Sequence, residues 1–181
     1  MQDGFLKLYS LYGRTLWMFA VLAGAFTFAI MVVIDTNAFL RKLINWPLPA
    51  ALEITQSLLV GAIMLPFAYA LFQRDHVSTV FLTSRLSPAT RRWLAFFWSV
   101  VGFLLFAAIT YGTFQYAIRS WRMNEQIWGS TIQFSIWPSK MAVSLGTALI
   151  SIQFLLDAVG TALIRGFNER KPEDEAMDGH V

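Results

Sequence analysis

Asp157, Glu53, the Asp75-His76 pair and the group Arg119, Arg122 and Glu125 are the residues whose types and settings can do chemistry. Each lies in or beside a long apolar run, and an ionisable group inside a membrane is costly and a functional candidate by default. Asp157 sits about two turns before Arg165. It either pairs with a basic residue of a partner helix or snorkels to the interface. Glu53 opens a run. It either contacts another subunit, or an arginine such as Arg41, or complements a helix N-terminus, an effect worth about 0.3–1 kcal/mol. His76 has no facing histidine, which favours a structural role over a proton relay. Arg119 and Arg122 share a helix face and, with Glu125, either dock an acidic partner surface or form a solvated helix end.

These residues match no known catalytic pattern. There is no G-x-S-x-G, H-E-x-x-H or Walker loop. The absence of Cys excludes a disulfide scaffold, a CxxC redox pair and thiolate metal sites. The second of the two His residues, His180, lies in a polar tail, so a bis-histidine haem site between helices has no ligands. No cofactor and no metal are expected, and an enzyme is disfavoured.

The elements that hold these residues are apolar. Charged residues make up 14% of the 181, against about 25% in soluble domains, and hydrophobic residues 56%. Mean hydropathy is +0.54. So few charges cannot cover a soluble surface, and the chain reads as an integral membrane protein. The net charge of +3 does not imply nucleic acid, because the basic residues cluster at the ends of apolar runs. Uncharged runs cover residues 15–34, 54–73, 93–118 and 141–156. A spanning helix needs about 20 apolar residues. The expected fold is an all-α membrane protein with four transmembrane helices, at about 15–36, 53–73, 92–119 and 141–164, in one domain over residues 1–164. Residues 165–181 form a charged tail expected to be disordered. The first run is too long for a cleavable signal.

The connections add detail. Phe39, Leu40, Leu43 and Ile44 follow a helical stripe, with Arg41, Lys42 and Trp46 as anchors at headgroup level. This pattern predicts a short interfacial helix between the first two spans. Ser87-Pro88 is a cap followed by a first-turn proline. Ala20/Gly24, Ser57/Gly61 and Ala108/Gly112 have the spacing of small-residue helix contacts, making Gly61 and Gly112 candidate subunit contacts beside Glu53 and Asp157. Four spans put nine of the 14 Lys and Arg on the side of the termini and five on the other, which predicts cytoplasmic termini.

The order of several marks resembles the DctQ-like small membrane subunit of tripartite ATP-independent periplasmic (TRAP) transporters. Asp35 is followed by Phe39-Leu40-Arg41, then Pro47, Pro49 and Glu53. Arg74-Asp75-His76-Val77 ends the second span, and Leu86-Ser87-Pro88 with Arg91 and Arg92 leads into the third. Asn124-Glu125, Ile136-Trp137-Pro138 and Gly146 complete the set. Where the family often has an acid shortly after the His pair, this chain has Ser78, Thr79 and Val80, so no role for that acid transfers.

The resemblance implies a bacterial inner-membrane protein and sodium-driven import of organic acids or related solutes. It further implies a large multi-span subunit as partner, with the small one packed against it as a stator, and a periplasmic solute-binding protein that docks on the outer connections, where Arg119, Arg122 and Glu125 lie. The alternative is a self-sufficient, homo-oligomeric small transporter or channel with Asp157 and Glu53 lining a polar path.

Overall fold

The computed structural model describes residues 2–73, 87–127 and 133–164. The Asp75-His76 pair, the basic residues Arg74 and Arg85 and the 165–181 tail lie outside these. Four helices account for nearly all of the described chain: α1 (Gln2–Leu43), α2 (Ala51–Phe72), α3 (Pro88–Arg122) and α4 (Trp137–Leu163). All four are long and apolar enough to cross a membrane. At about 1.5 Å per residue α2 reaches roughly 33 Å, close to a hydrocarbon core of about 30 Å. By the same rise α1 reaches about 63 Å and α3 about 52 Å, so both project beyond the core.

The helices pack in the order α1, α2, α4, α3, each against its neighbours in that row, with α1 also touching α4. The result is a slab with two broad faces, edged by α1 and α3. The register of α1 on α2 is antiparallel. Phe72 lies over Gly13 and Phe26 over Gly61, and the Leu48 N–H donates to Asn37 Oδ1 at 2.8 Å. These contacts set the uncharged runs 15–34 and 54–73 side by side. The contact stripe on α1 is Tyr9, Leu16 and Ala23, all buried, at the seven-residue spacing that returns to one helix face.

The core is carried by α4. Half of its apolar window is buried, against 6% for α1 and for α3. Its buried face is rich in small residues, including Ser144, Gly146, Thr147, Ser151 and Gly160. Small residues let backbones approach closely in lipid, where the hydrophobic effect does not drive helices together. At Gly146 an added Cβ would lie 2.7 Å from the Met64 carbonyl oxygen of α2. The buried hydroxyls of Thr147 and Thr161 donate to Val143 and Asp157 carbonyls of their own helix, so they satisfy themselves without a partner chain.

The helix ends follow local chemistry. Ser87 is extended and its Oγ accepts from the Thr90 N–H at 3.3 Å, with proline in the first turn of α3. Ala50, left-handed at φ 58°, precedes α2 and offers no cap oxygen; Glu53 supplies the negative charge in that first turn instead. One expectation is corrected here. The stripe Phe39, Leu40, Leu43 and Ile44 does not form a separate interfacial helix, because α1 runs unbroken to Leu43. No proline or glycine interrupts residues 35–43. The first break comes at Asn45, left-handed at φ 56°, a conformation Asn tolerates better than most residues.

Candidate functional site

Two polar clusters tie the slab together at its ends. At the end carrying the amino terminus, Tyr9 of α1 reaches α4. Its hydroxyl donates to Asp157 Oδ1 at 3.5 Å and accepts from Gln153 Nε2 at 3.4 Å. One turn on, the Tyr12 hydroxyl donates to the Leu149 carbonyl at 2.6 Å. The Tyr9 ring packs on Phe72 of α2 with centroids 4.9 Å apart. From α3, Arg92 Nε donates to the Thr161 carbonyl at 2.9 Å and Nη2 to the Ala162 carbonyl at 2.8 Å. A guanidinium there satisfies carbonyls that the last turn of α4 leaves open and complements its negative end. All four helices therefore contribute a side chain at this end, with α4 in the middle.

Asp157 is 9% exposed. It neither snorkels into solvent nor faces outward to a partner helix; its carboxylate is enclosed by this chain. Tyr9 precedes Arg14, the charge that bounds the first apolar run. Asp157 therefore lies near the membrane edge rather than at its midplane. Its hydrogen bond to Tyr9 lowers the cost of burial.

At the opposite end, α3 runs into a short turn. Asn124 is left-handed at φ 47°, and Gln126 pairs with Ser135 in an isolated antiparallel bridge. The Ile127 N–H donates to the Phe134 carbonyl and the Ile136 N–H to the Glu125 carbonyl, both at 3.1 Å. Lys140 of α4 forms an ion pair with Glu125, and its ammonium sits 4.0 Å from the Tyr116 ring centroid. The hydrogen bond from Lys140 holds the Glu125 carboxyl below its ordinary value. Met123, Asn124, Glu125, Gln126 and Ile127 line a shallow surface depression beside this pair.

The candidate residues thus separate. Glu125 is committed to Lys140, which leaves exposed Arg119 and Arg122, in the last turn of α3, as the cations of that trio. Gly61 is filled by the Phe26 ring of the same chain, so its notch is not open to another subunit. Gly112 has nothing within 4 Å of an added Cβ and remains open. Glu53 is half-buried at the start of α2 and makes no ion pair with Arg41. Arg41 and Lys42 stand exposed in the last turn of α1, with Trp46 beyond it. Among the described residues no group of three or more His, Cys, Asp or Glu is placed to hold a metal.

Reading the sequence missed Tyr9, Tyr12, Gln153 and Arg92 as partners of the Asp157 region, and Lys140 as the partner of Glu125. The available signal was the seven-residue recurrence of Tyr9, Leu16 and Ala23, which marks a packed α1 stripe extending beyond Arg14. Arg92 entered as the charge before the third run and as a mark in the family order, and Lys140 only among the charges counted for orientation.

No match was found among curated proteins. A family description does match: tripartite ATP-independent periplasmic transporters, DctQ component, over residues 30–163. That segment runs from the last residues of the first apolar run of α1 to the end of α4, and so takes in α2, the whole of α3 and the Asp157 region. A multi-pass membrane slab with this match over most of its length belongs to the DctQ family, the small membrane component of TRAP transporters.

Proposed function

We propose that this subunit is a non-catalytic scaffold for the large transport subunit in sodium-driven import of organic acids or related solutes. It lies in the bacterial inner membrane with both termini in the cytoplasm. The single observation that carries the reading is the row packing of the helices. A slab one helix thick has faces and edges but little interior, whereas a carrier needs a polar site enclosed between helices near the midplane. Its ionisable cluster around Asp157 lies at one end of the slab and is closed by its own hydrogen bonds. Such a slab becomes useful when its apolar surface is laid against a larger membrane protein.

In this reading the end with Tyr9, Asp157 and Arg92 is cytoplasmic and the end with Lys140 is periplasmic, in keeping with the nine-to-five distribution of Lys and Arg. The exposed Arg119 and Arg122, with the Glu125–Lys140 pair behind them, form part of the docking surface for the solute-binding protein. Gly112 and Glu53 remain candidate subunit contacts, and Arg41, Lys42 and Trp46 anchor the outer end of α1.

Expression with the adjacent genes and purification from mild detergent tests the scaffold role. Stable co-purification with one large multi-span protein is expected. A chain that stays monomeric and never retains such a partner contradicts the reading. Reversing both charges, Arg119→Glu with Arg122→Glu, is expected to weaken uptake at low binding-protein concentration while the membrane complex persists. Unchanged uptake removes the docking role.

A further inference from the structure

The turn that follows α3 is clamped at one residue. Asn124, left-handed, reverses the chain there. Its N–H donates to the Trp121 carbonyl at 3.1 Å, and the Glu125 N–H donates to the Ser120 carbonyl at 3.0 Å. This pair of bonds is the usual closure of a helix that ends on a left-handed residue, and it satisfies carbonyls that the last turn leaves open. In such closures the residue after the left-handed one often makes an apolar contact back to its own helix. Here that residue is Glu125, and it reaches α4 instead. Its carbonyl accepts from the Ile136 N–H at 3.1 Å, and its carboxylate pairs with Lys140. The start of α4 therefore holds Glu125 by its backbone and by its side chain. The Lys140 ammonium also lies over the Tyr116 ring of α3, 4.0 Å from the centroid. The Lys140 side chain is only 16% exposed, so salt screens this pair less than one in open solvent.

The clamped turn carries an exposed surface. Met123, Asn124, Glu125, Gln126 and Ile127 line the shallow depression there. Trp121 and Met123 are 58% and 66% exposed. The Trp121 ring rests against Trp137 of α4, with centroids 6.5 Å apart. Arg119 and Arg122 stand exposed in the same last turn of α3. Aromatic residues, Met and Arg are the types enriched where proteins meet, and Trp and Arg are prominent among those that dominate binding energy. A partner that meets a turn already fixed in shape loses no affinity in ordering it.

Resting on the docking reading above, we propose that Lys140 is a positioning residue for the binding-protein surface. Through Glu125 it holds the turn Met123–Ile127 in one shape, and that turn, with Trp121, extends the surface formed by Arg119 and Arg122.

Affinity for the soluble binding protein is measured by surface plasmon resonance on the two-subunit membrane complex in nanodiscs. Glu125→Ala and Lys140→Met each break the pair, but they change the net charge beside Arg119 and Arg122 in opposite directions. Both are nevertheless expected to raise the Kd several-fold, with co-purification of the large subunit unchanged. Lys140→Arg, which keeps a cation for the carboxylate and the ring, is expected to bind as the unaltered chain does. Tighter binding by Glu125→Ala is the outcome if charge alone attracts an acidic partner, and it overturns the inference, as does an unchanged Kd in either variant. Met123→Ala is expected to weaken binding as well; an unchanged Kd there takes the turn out of the surface and overturns it too. Arg119→Glu with Arg122→Glu in the same assay keeps the two readings apart. If that reversal weakens binding while Glu125→Ala does not, docking stands and the positioning role falls. If the reversal leaves the Kd unchanged, the docking reading falls and this inference with it.

Discussion

Replacing Gly146 by Ala tests the tightest helix contact in the slab. The new Cβ would lie 2.7 Å from the Met64 carbonyl oxygen, 2.9 Å from Met64 Cβ and 3.1 Å from the Met64 carbonyl carbon. Two of these three atoms are backbone, so no rotamer change relieves the clash and α2 must move away from α4. Overpacking of this kind costs about 1–3 kcal/mol. Ala also favours a helix over Gly by about 0.8–1.0 kcal/mol, which partly hides the cost. Gly112→Ala is the control, because nothing lies within 4 Å of its new Cβ and it carries the same propensity gain. The difference between the two variants isolates the packing cost of about 1–3 kcal/mol, which is about 5- to 150-fold in the unfolding equilibrium. Reversible unfolding in bicelles, followed by steric trapping, measures it. Gly146→Ala and Gly112→Ala of equal stability would refute the close approach of α2 and α4.

Three further outcomes are expected. Removing the Tyr9 hydroxyl or the Asp157 charge disturbs one hydrogen-bonded unit, so Tyr9→Phe and Asp157→Asn are non-additive by about 0.5–3 kcal/mol in a double-mutant cycle; additive effects remove the Tyr9–Asp157 link. Arg92→Met withdraws the donors that hold the Thr161 and Ala162 carbonyls, each hydrogen bond to a charged group being worth about 1.5–3 kcal/mol. Amide exchange in the last two turns of α4 then speeds up while its central turns keep their protection, and unchanged exchange contradicts the bond. Glu125 has its folded carboxyl value lowered from 4.5, first by the Lys140 hydrogen bond. The stabilisation is therefore complete above that ordinary value and is lost as pH falls through the lowered one. Protection of the Ile127 and Ile136 amides should drop in that acid window and, in Lys140→Met, be already weak at neutral pH; a Lys140→Met variant with unaltered protection discards the pair as a brace.

Three spans were legible because the bilayer imposes one strong rule, about 20 apolar residues per crossing, and the runs bounded by Arg14, Asp35, Glu53, Arg92 and Arg119 obey it; the fourth, with 16 uncharged residues at 141–156, reached that length only by extension through Asp157. The cap at Ser87 was legible for a local reason, since its hydroxyl and the following proline act within one turn. The stripe at residues 39–44 misled because helical periodicity says that residues share a face, not where a helix begins. With nothing to break it, the stripe continued α1. Asp157 was visible as an odd charge, but its partners were not. Tyr9 lies 148 residues away in sequence, and nothing local links a tyrosine near one terminus to an aspartate near the other. Gly61 and Gly112 have the same spacing to a small neighbour, yet one is filled by Phe26 and the other open. Spacing alone cannot distinguish a notch used within the chain from one left for a partner.

Solute flux in proteoliposomes tests the scaffold role most directly. The purified chain alone, the large subunit alone, and both together are reconstituted with a sodium gradient and the soluble binding protein supplied outside. Uptake is expected only where both membrane subunits are present, and the chain alone should leave vesicles as tight as empty ones. Sodium-coupled uptake by this chain on its own would contradict the claim that it is a wall for another protein's machinery.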